Sequence, residues 1–185
     1  MRSLPLLLVA LCLTPLSGRA ASRCDLEFRF TSHWDAQPRR FTVDLAFDAG
    51  QRTSTELRIA DQWGPVSDFG RAIRDVRVIA PSAALFREGS ELARSWTISH
   101  PAAARVHVRY EVLNDVANID ETTPLSASDF FRTMLASTWY QFHGHGVLLM
   151  PEELDDETPL ATCITLQGLP RSWAFASSLG EGRRG

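Results

Sequence analysis

Arg105-Val-His-Val-Arg-Tyr-Glu-Val112 decides how the rest of the chain is read. Val106, Val108, Tyr110 and Val112 alternate without a break with Arg105, His107, Arg109 and Glu111, the period of a strand with one face in water and one face out of it. Such a strand is half of a packed layer, because its dry face must be covered by a second sheet or a helix. Further alternating segments supply the cover. Leu26, Phe28 and Phe30 alternate with Glu27 and Arg29, and Phe41, Val43, Leu45 and Phe47 alternate with Thr42, Asp44, Ala46 and Asp48. These two strands are joined across His33-Trp-Asp35, and Asp48-Ala-Gly50 is the next turn. Leu57 and Ile59 make a third short strand. A fourth runs from Ile73 to Ala80 with Val76 and Val78 inward and Asp75 and Arg77 outward, and a fifth from Ser95 to Ile98. Glu88-Gly-Ser90 reads as a turn, and His100-Pro101 turns the chain into the organising strand.

Downstream, Asn114 to Ser128 is polar and reads as a loop. Ser128 can cap a short helix over Asp129 to Gln141, because Phe131, Leu135, Trp139 and Phe142 fall at spacings that share one helical face. An extended reading of this stretch stays open. Gly144 and Gly146 end the segment, Val147 to Met150 is an apolar strand stopped by Pro151, and Ala161 to Leu166 is the last strand. Turn signals recur about every ten residues, the spacing of an antiparallel sandwich. The expected fold is therefore mainly β, an antiparallel β-sandwich over residues 24–180 with a short helix near 129–141.

Composition narrows the chemistry. The 185 residues are 44% hydrophobic and 22% charged, which is a globular composition sufficient for one sizeable core. All 19 basic residues are Arg, so a lysine Schiff base and a phosphate-binding P-loop are excluded. Without residues 1–20 the balance is 17 basic against 22 acidic residues, a net charge of -5. A mildly acidic domain with no basic run does not point to nucleic acid.

Met1 to Ala20 has the pattern of a secretory signal peptide. Arg2 gives the positive start, Leu4 to Leu13 the apolar run, and Ser17-Gly-Arg-Ala20 a small-residue exit. The apolar run is shorter than the ~20 residues a membrane-spanning helix requires. The expectation is an exported protein, periplasmic or extracellular, with no membrane attachment after cleavage. The remaining Cys24 and Cys163 could bridge in an oxidising compartment or stay as two thiols, and spacing alone decides nothing. Glu152-Glu-Leu-Asp-Asp-Glu157 reads as a solvated acidic loop rather than a calcium site. The tail Glu181 to Gly185 has no pattern and should be mobile.

No catalytic constellation emerges. Neither a Gly-x-Ser-x-Gly elbow nor a Gly-x-Gly-x-x-Gly loop is present, and none of the five histidines begins a His-Glu-x-x-His. His143-Gly-His145 is the one arrangement that invites a metal, but a tetrahedral site needs further ligands and no partner is apparent. No catalytic residue, metal site or cofactor is expected. Trp63 and Phe69 lie in an irregular loop interrupted by Gly64 and Pro65, where large aromatics either plug the end of the core or line a ligand-contacting loop. Together with Trp139, His143 and His145 they form the candidate interaction surface for a peptide or protein.

Several segments together resemble the N-terminal domain of the glycyl aminopeptidase family of zinc metallopeptidases, which carry a C-terminal PDZ domain. They are Leu57-Arg-Ile-Ala-Asp-Gln-Trp-Gly64, Asp75-Val-Arg-Val78, Trp96-Thr-Ile98, Val108-Arg-Tyr-Glu-Val112, Gly146-Val-Leu-Leu-Met-Pro151, and Leu169-Pro-Arg-Ser-Trp173 with Ser178-Leu-Gly180. The resemblance implies a β-rich domain that packs against a catalytic domain. It also marks a departure, since the zinc-binding His-Glu-x-x-His that follows the Trp173-like segment in that family is absent from this sequence. No catalytic position of the family has a counterpart here, so the peptidase chemistry is not carried over. The expectation is a non-catalytic exported β domain, truncated or stand-alone, whose partner is a separately encoded catalytic domain, a peptide or another protein. A binding module and a hydrolase built on His143 or His145 are the alternatives.

Overall fold

A computed structural model describes residues 24–60, 62–63, 66–80, 84–88, 95–116, 119, 124–152, 160–174 and 176–178. The leader over 1–20, the turn at 89–90, the acidic run beyond Glu152 and the tail over 181–185 lie outside the described residues. The strands are β1 (Leu26–His33), β2 (Arg40–Asp48), β3 (Ser54–Arg58), β4 (Gln62–Trp63), β5 (Val66–Ser67), β6 (Ile73–Ala80) and β7 (Ala84–Glu88). They continue with β8 (Ser95–Ser99), β9 (Arg105–Leu113), β10 (Met134–Leu135), β11 (Tyr140–Gln141), β12 (Met150–Pro151) and β13 (Thr162–Gln167). A turn of α-helix, α1, covers Gly144–Val147, and 3-10 turns cover Phe69–Ala72 and Asp129–Phe131.

Two sheets make the body, one ordered β13-β1-β2-β9-β6 and one ordered β12-β3-β8-β7, with β4-β5 and β10-β11 as small hairpins. The organising segment is β9, paired antiparallel with β2 on one side and β6 on the other. Its register places Val108 opposite Leu45 and Tyr110 opposite Val43. The dry faces of β1, β2 and β9 meet Leu57, Trp96 and Ile98 of the second sheet in one core. This is the mainly β sandwich that the alternation requires. On the wet face the charges answer one another across strands. Arg109 Nε donates to Asp44 at 2.6 Å, Arg40 to Glu111 at 3.1 Å, and Arg105 to Glu27 at 2.9 Å. Such part-exposed pairs add little stability each, yet they favour this register over a slipped one.

Tyr110 brings a hydroxyl into this core, where it is fully buried. The group donates to the Val147 carbonyl at 2.7 Å, which offsets the cost of taking it out of water. Burial raises its phenol pKa far above the ordinary value. His100 is likewise buried and shares a 2.9 Å hydrogen bond with Thr55.

Two expectations are corrected. The helix over 129–141 is replaced by a 3-10 turn at Asp129–Phe131 and the β10-β11 hairpin. Thr133, Met134, Leu135 and Ala136 are buried in succession, a run that passes through the interior rather than presenting one helical stripe. The short helix lies instead at Gly144–Val147, so Val147 ends a helix, and of the expected strand over 147–150 only Met150 enters one, together with Pro151. The sandwich is antiparallel as expected, with one parallel pair at its margin where β13 joins β1.

Cys24 and Cys163 are joined by a disulfide across this parallel pair, with Cα atoms 5.8 Å apart. The parallel direction makes the bridge possible, since it sets the beginnings of β1 and β13 side by side.

Candidate functional site

The segments around residues 66–72, 114–119 and 124–149 hold four of the residues expected at an interaction surface. Phe69 is 2% exposed, so it plugs the core and offers no surface, as its apolar bulk favours. Gly146 makes room for it, because a Cβ there would come within 3.3 Å of the Phe69 ring. The side chain of Trp63 lies outside the described residues.

From Phe69 a row of rings runs outward. His145 meets Phe69 edge-on at 5.0 Å, His143 stacks on His145 at 5.4 Å, and Phe131 lies 5.8 Å from His143. His143 Nε2 donates to the Phe130 carbonyl at 2.8 Å when that nitrogen carries the proton. Burial, and then the neighbouring His143, lower the pKa of His145, because both disfavour its charged form. The two imidazoles thus present stacked faces to each other, and one ring nitrogen is already engaged with the backbone. Among the described residues, no three His, Cys, Asp or Glu side chains gather where they could hold a metal ion.

Trp139 is not part of this row. It packs, partly buried, with Ile119, Met134 and Ala136 in a second small core. The structure therefore brings Phe69, His143 and His145 together and places Trp139 elsewhere.

Asp115 binds the loops around this end to one another. Its side chain is 2% exposed and accepts from Arg71 Nε and, at 2.8 Å, from Arg132 Nη1. Arg71 also donates to the Asp115 backbone carbonyl at 2.8 Å. Replacing Asp115 with Ala leaves two guanidinium groups without this carboxylate. The expected loss is about 2–3 kcal/mol, below the ~3–5 of a fully buried pair because Arg71 is 42% exposed and screened by water. Chemical denaturation of D115A checks this, and an unchanged midpoint would contradict the structural role.

A second aromatic group lies apart from the residues expected at the interaction surface. Trp34 lies 4.6 Å from Trp173 and 6.1 Å from Tyr140, and Tyr140 stacks on Trp173 at 5.8 Å. The Trp34 indole N–H donates to the Ser137 carbonyl at 2.9 Å. These rings come from the β1-β2 turn, from β11 and from the segment after β13. The signal available in the sequence is a tryptophan in each of two segments outside the main strands.

No family model matches the chain, and no curated protein matches it. Among solved structures, the chain is similar to the crystal structure of an aminopeptidase N family protein from Idiomarina loihiensis, at 18% identity and a TM-score of 0.49. The match covers 69% of this chain and 20% of that one, so it spans about a fifth of that protein's length. Among the described residues, no helix is long and apolar enough to cross a membrane.

Proposed function

We propose that this chain is an exported, non-catalytic β domain, related to the N-terminal domain of glycyl aminopeptidase-like metallopeptidases and serving as an accessory module. The observation that carries this reading is how the side chains suited to chemistry are used. His33 bonds Thr42, buried His100 bonds Thr55, His143 bonds the Phe130 carbonyl, and Asp115 is clamped by Arg71 and Arg132. Each of these contacts anchors one segment of the fold to another. Segments that carry the family resemblance also supply framework strands, with Asp75 to Val78 in β6, Trp96 to Ile98 in β8 and Val108 to Val112 in β9. Export rests on the leader pattern and agrees with a disulfide, which persists in oxidising compartments.

The test is to incubate the purified mature protein with Gly- and Ala-containing peptides, with and without added zinc. No zinc-dependent hydrolysis is expected. Hydrolysis abolished by a chelator would overturn the reading.

A second reading, a peptide- or protein-binding module, is favoured by Phe130. It is 50% exposed beside the Phe131–His143 contact, and an exposed aromatic is suited to an interface.

A further inference from the structure

Among the described residues the two main sheets have four outer strands, and three of them carry features that discourage pairing with another chain. β6 is interrupted by register shifts, has Asp75 at a positive φ of 51°, and exposes Arg74, Asp75 and Arg77. β12 has two residues, one of them Pro151. β7 carries Arg87 and Glu88 in its sequence. Bulges, charges, proline and short length are the usual guards of a sheet edge. β13 has none of them. Its sequence Thr162-Cys-Ile-Thr-Leu-Gln167 is uncharged, uninterrupted and rich in β-branched residues, and among the described residues no strand pairs with its outer side.

The parallel pairing with β1 fixes which backbone groups that side presents. The Ala161 carbonyl accepts from Leu26 N–H at 3.2 Å, and Leu26 pairs with Thr162. In a regular strand the backbone groups alternate in direction, so Cys163, Thr165 and Gln167 bond β1 while Thr162, Ile164 and Leu166 point their N–H and C=O outward. The same three residues lie on the inner face of the sheet, where Ile164 and Leu166 are partly buried against the core. After the strand, Gly168, at a φ of 73°, turns the chain over Ser32 of β1, away from the outer side.

We propose that the outer edge of β13 pairs antiparallel with β13 of a second copy of this chain, about a two-fold axis through Ile164. This register sets Ile164 opposite Ile164 and Thr162 opposite Leu166, so every outward N–H and C=O finds a partner. Opposite residues then share a face, and the half-covered Ile164 and Leu166 shield each other at the joined margin. An uncharged strand meets no like charge in its own copy. The paired edge is small beside the ~1,200–2,000 Å² of a stable interface, so the association depends on concentration.

Amide hydrogen exchange on the unmutated mature protein tests this at about 10 µM and about 1 mM, the range of weak association. The amides of Ile164 and Leu166 should exchange at least about tenfold more slowly in the concentrated sample, while those of Cys163 and Thr165 stay protected in both. I164K sets two ammonium groups against each other across the axis and should abolish the concentration dependence without unfolding the protein. If the exchange of Ile164 and Leu166 is independent of concentration, or if protection grows at β6 or β7 instead, the proposal is overturned. A folded I164K that still self-associates through β13 also overturns it. Should I164K fail to fold, exchange in the unmutated protein still decides.

Discussion

Replacing Phe41 with Ala is expected to cost about 3–5 kcal/mol, the range for removing a large aromatic from a packed core. Phe41 is 0% exposed. Its ring lies edge-on to Phe30 at 5.9 Å, to Phe142 at 5.9 Å and to Tyr140 at 5.4 Å, with Trp34 at 6.2 Å. These neighbours belong to β1, to β11 and its continuation, and to the β1-β2 turn, so truncation opens a cavity where three segments meet. The neighbours are themselves large and mutually packed, which limits collapse into the space. A domain of ordinary stability, ~5–15 kcal/mol, would lose about a fifth of it or more. Urea denaturation should show the midpoint falling with little change in slope. A loss below about 1 kcal/mol would mean that this aromatic junction is not packed as described.

Breaking the Cys24–Cys163 bond is the second large effect expected. The cysteines are 139 residues apart, so the bond restricts almost the whole folded length of the unfolded chain. For a loop of that size the chain-entropy argument gives about 5 kcal/mol, and measured losses for native disulfides run ~2–5. The location adds a local consequence. β13 is held by a neighbour on one side, β1, so without the covalent tie it should fray before the strands inside the sheet. C163S, and the unmutated protein in reductant, should both melt well below the oxidised protein. Equal melting temperatures in all three would contradict a structural bridge.

The fold was legible where burial and sequence period coincide. β9, β2 and β1 present one face to the core and one to water, so Val106 to Val112, Phe41 to Phe47 and Leu26 to Phe30 announce themselves. Between Asp129 and Gln141 this correspondence fails. Phe131, Leu135, Trp139 and Phe142 share a helical spacing, yet Leu135 and Phe142 join the main core, Trp139 the second one, and Phe131 the histidine row. Tertiary packing outweighed a local period there, aided by Thr133, Ser137 and Thr138, which are weak helix formers. Gly144 and Gly146 read as breakers, whereas at Gly146 the absent side chain admits Phe69. The direction of β13 could not be read at all, because a strand pattern is the same in either sense.

The candidate site was legible in part for related reasons. His143 and His145 are two residues apart and their contact is local. Phe69 reaches them through the fold, and nothing in the sequence links Asp115 to Arg71 and Arg132. Trp173 meets Trp34 only because the chain after β13 turns back over β1.

Residue-resolved exchange along β9 tests the two-layer arrangement most directly. Because β9 is bonded on both sides by β2 and β6, its amides from Val106 to Val112 should open only with global unfolding. Their exchange free energies should match the unfolding free energy from denaturation and exceed those of the bulged edge strand β6. Fast exchange along β9, at rates like those of β6, would contradict its place inside the sheet and the sandwich built around it.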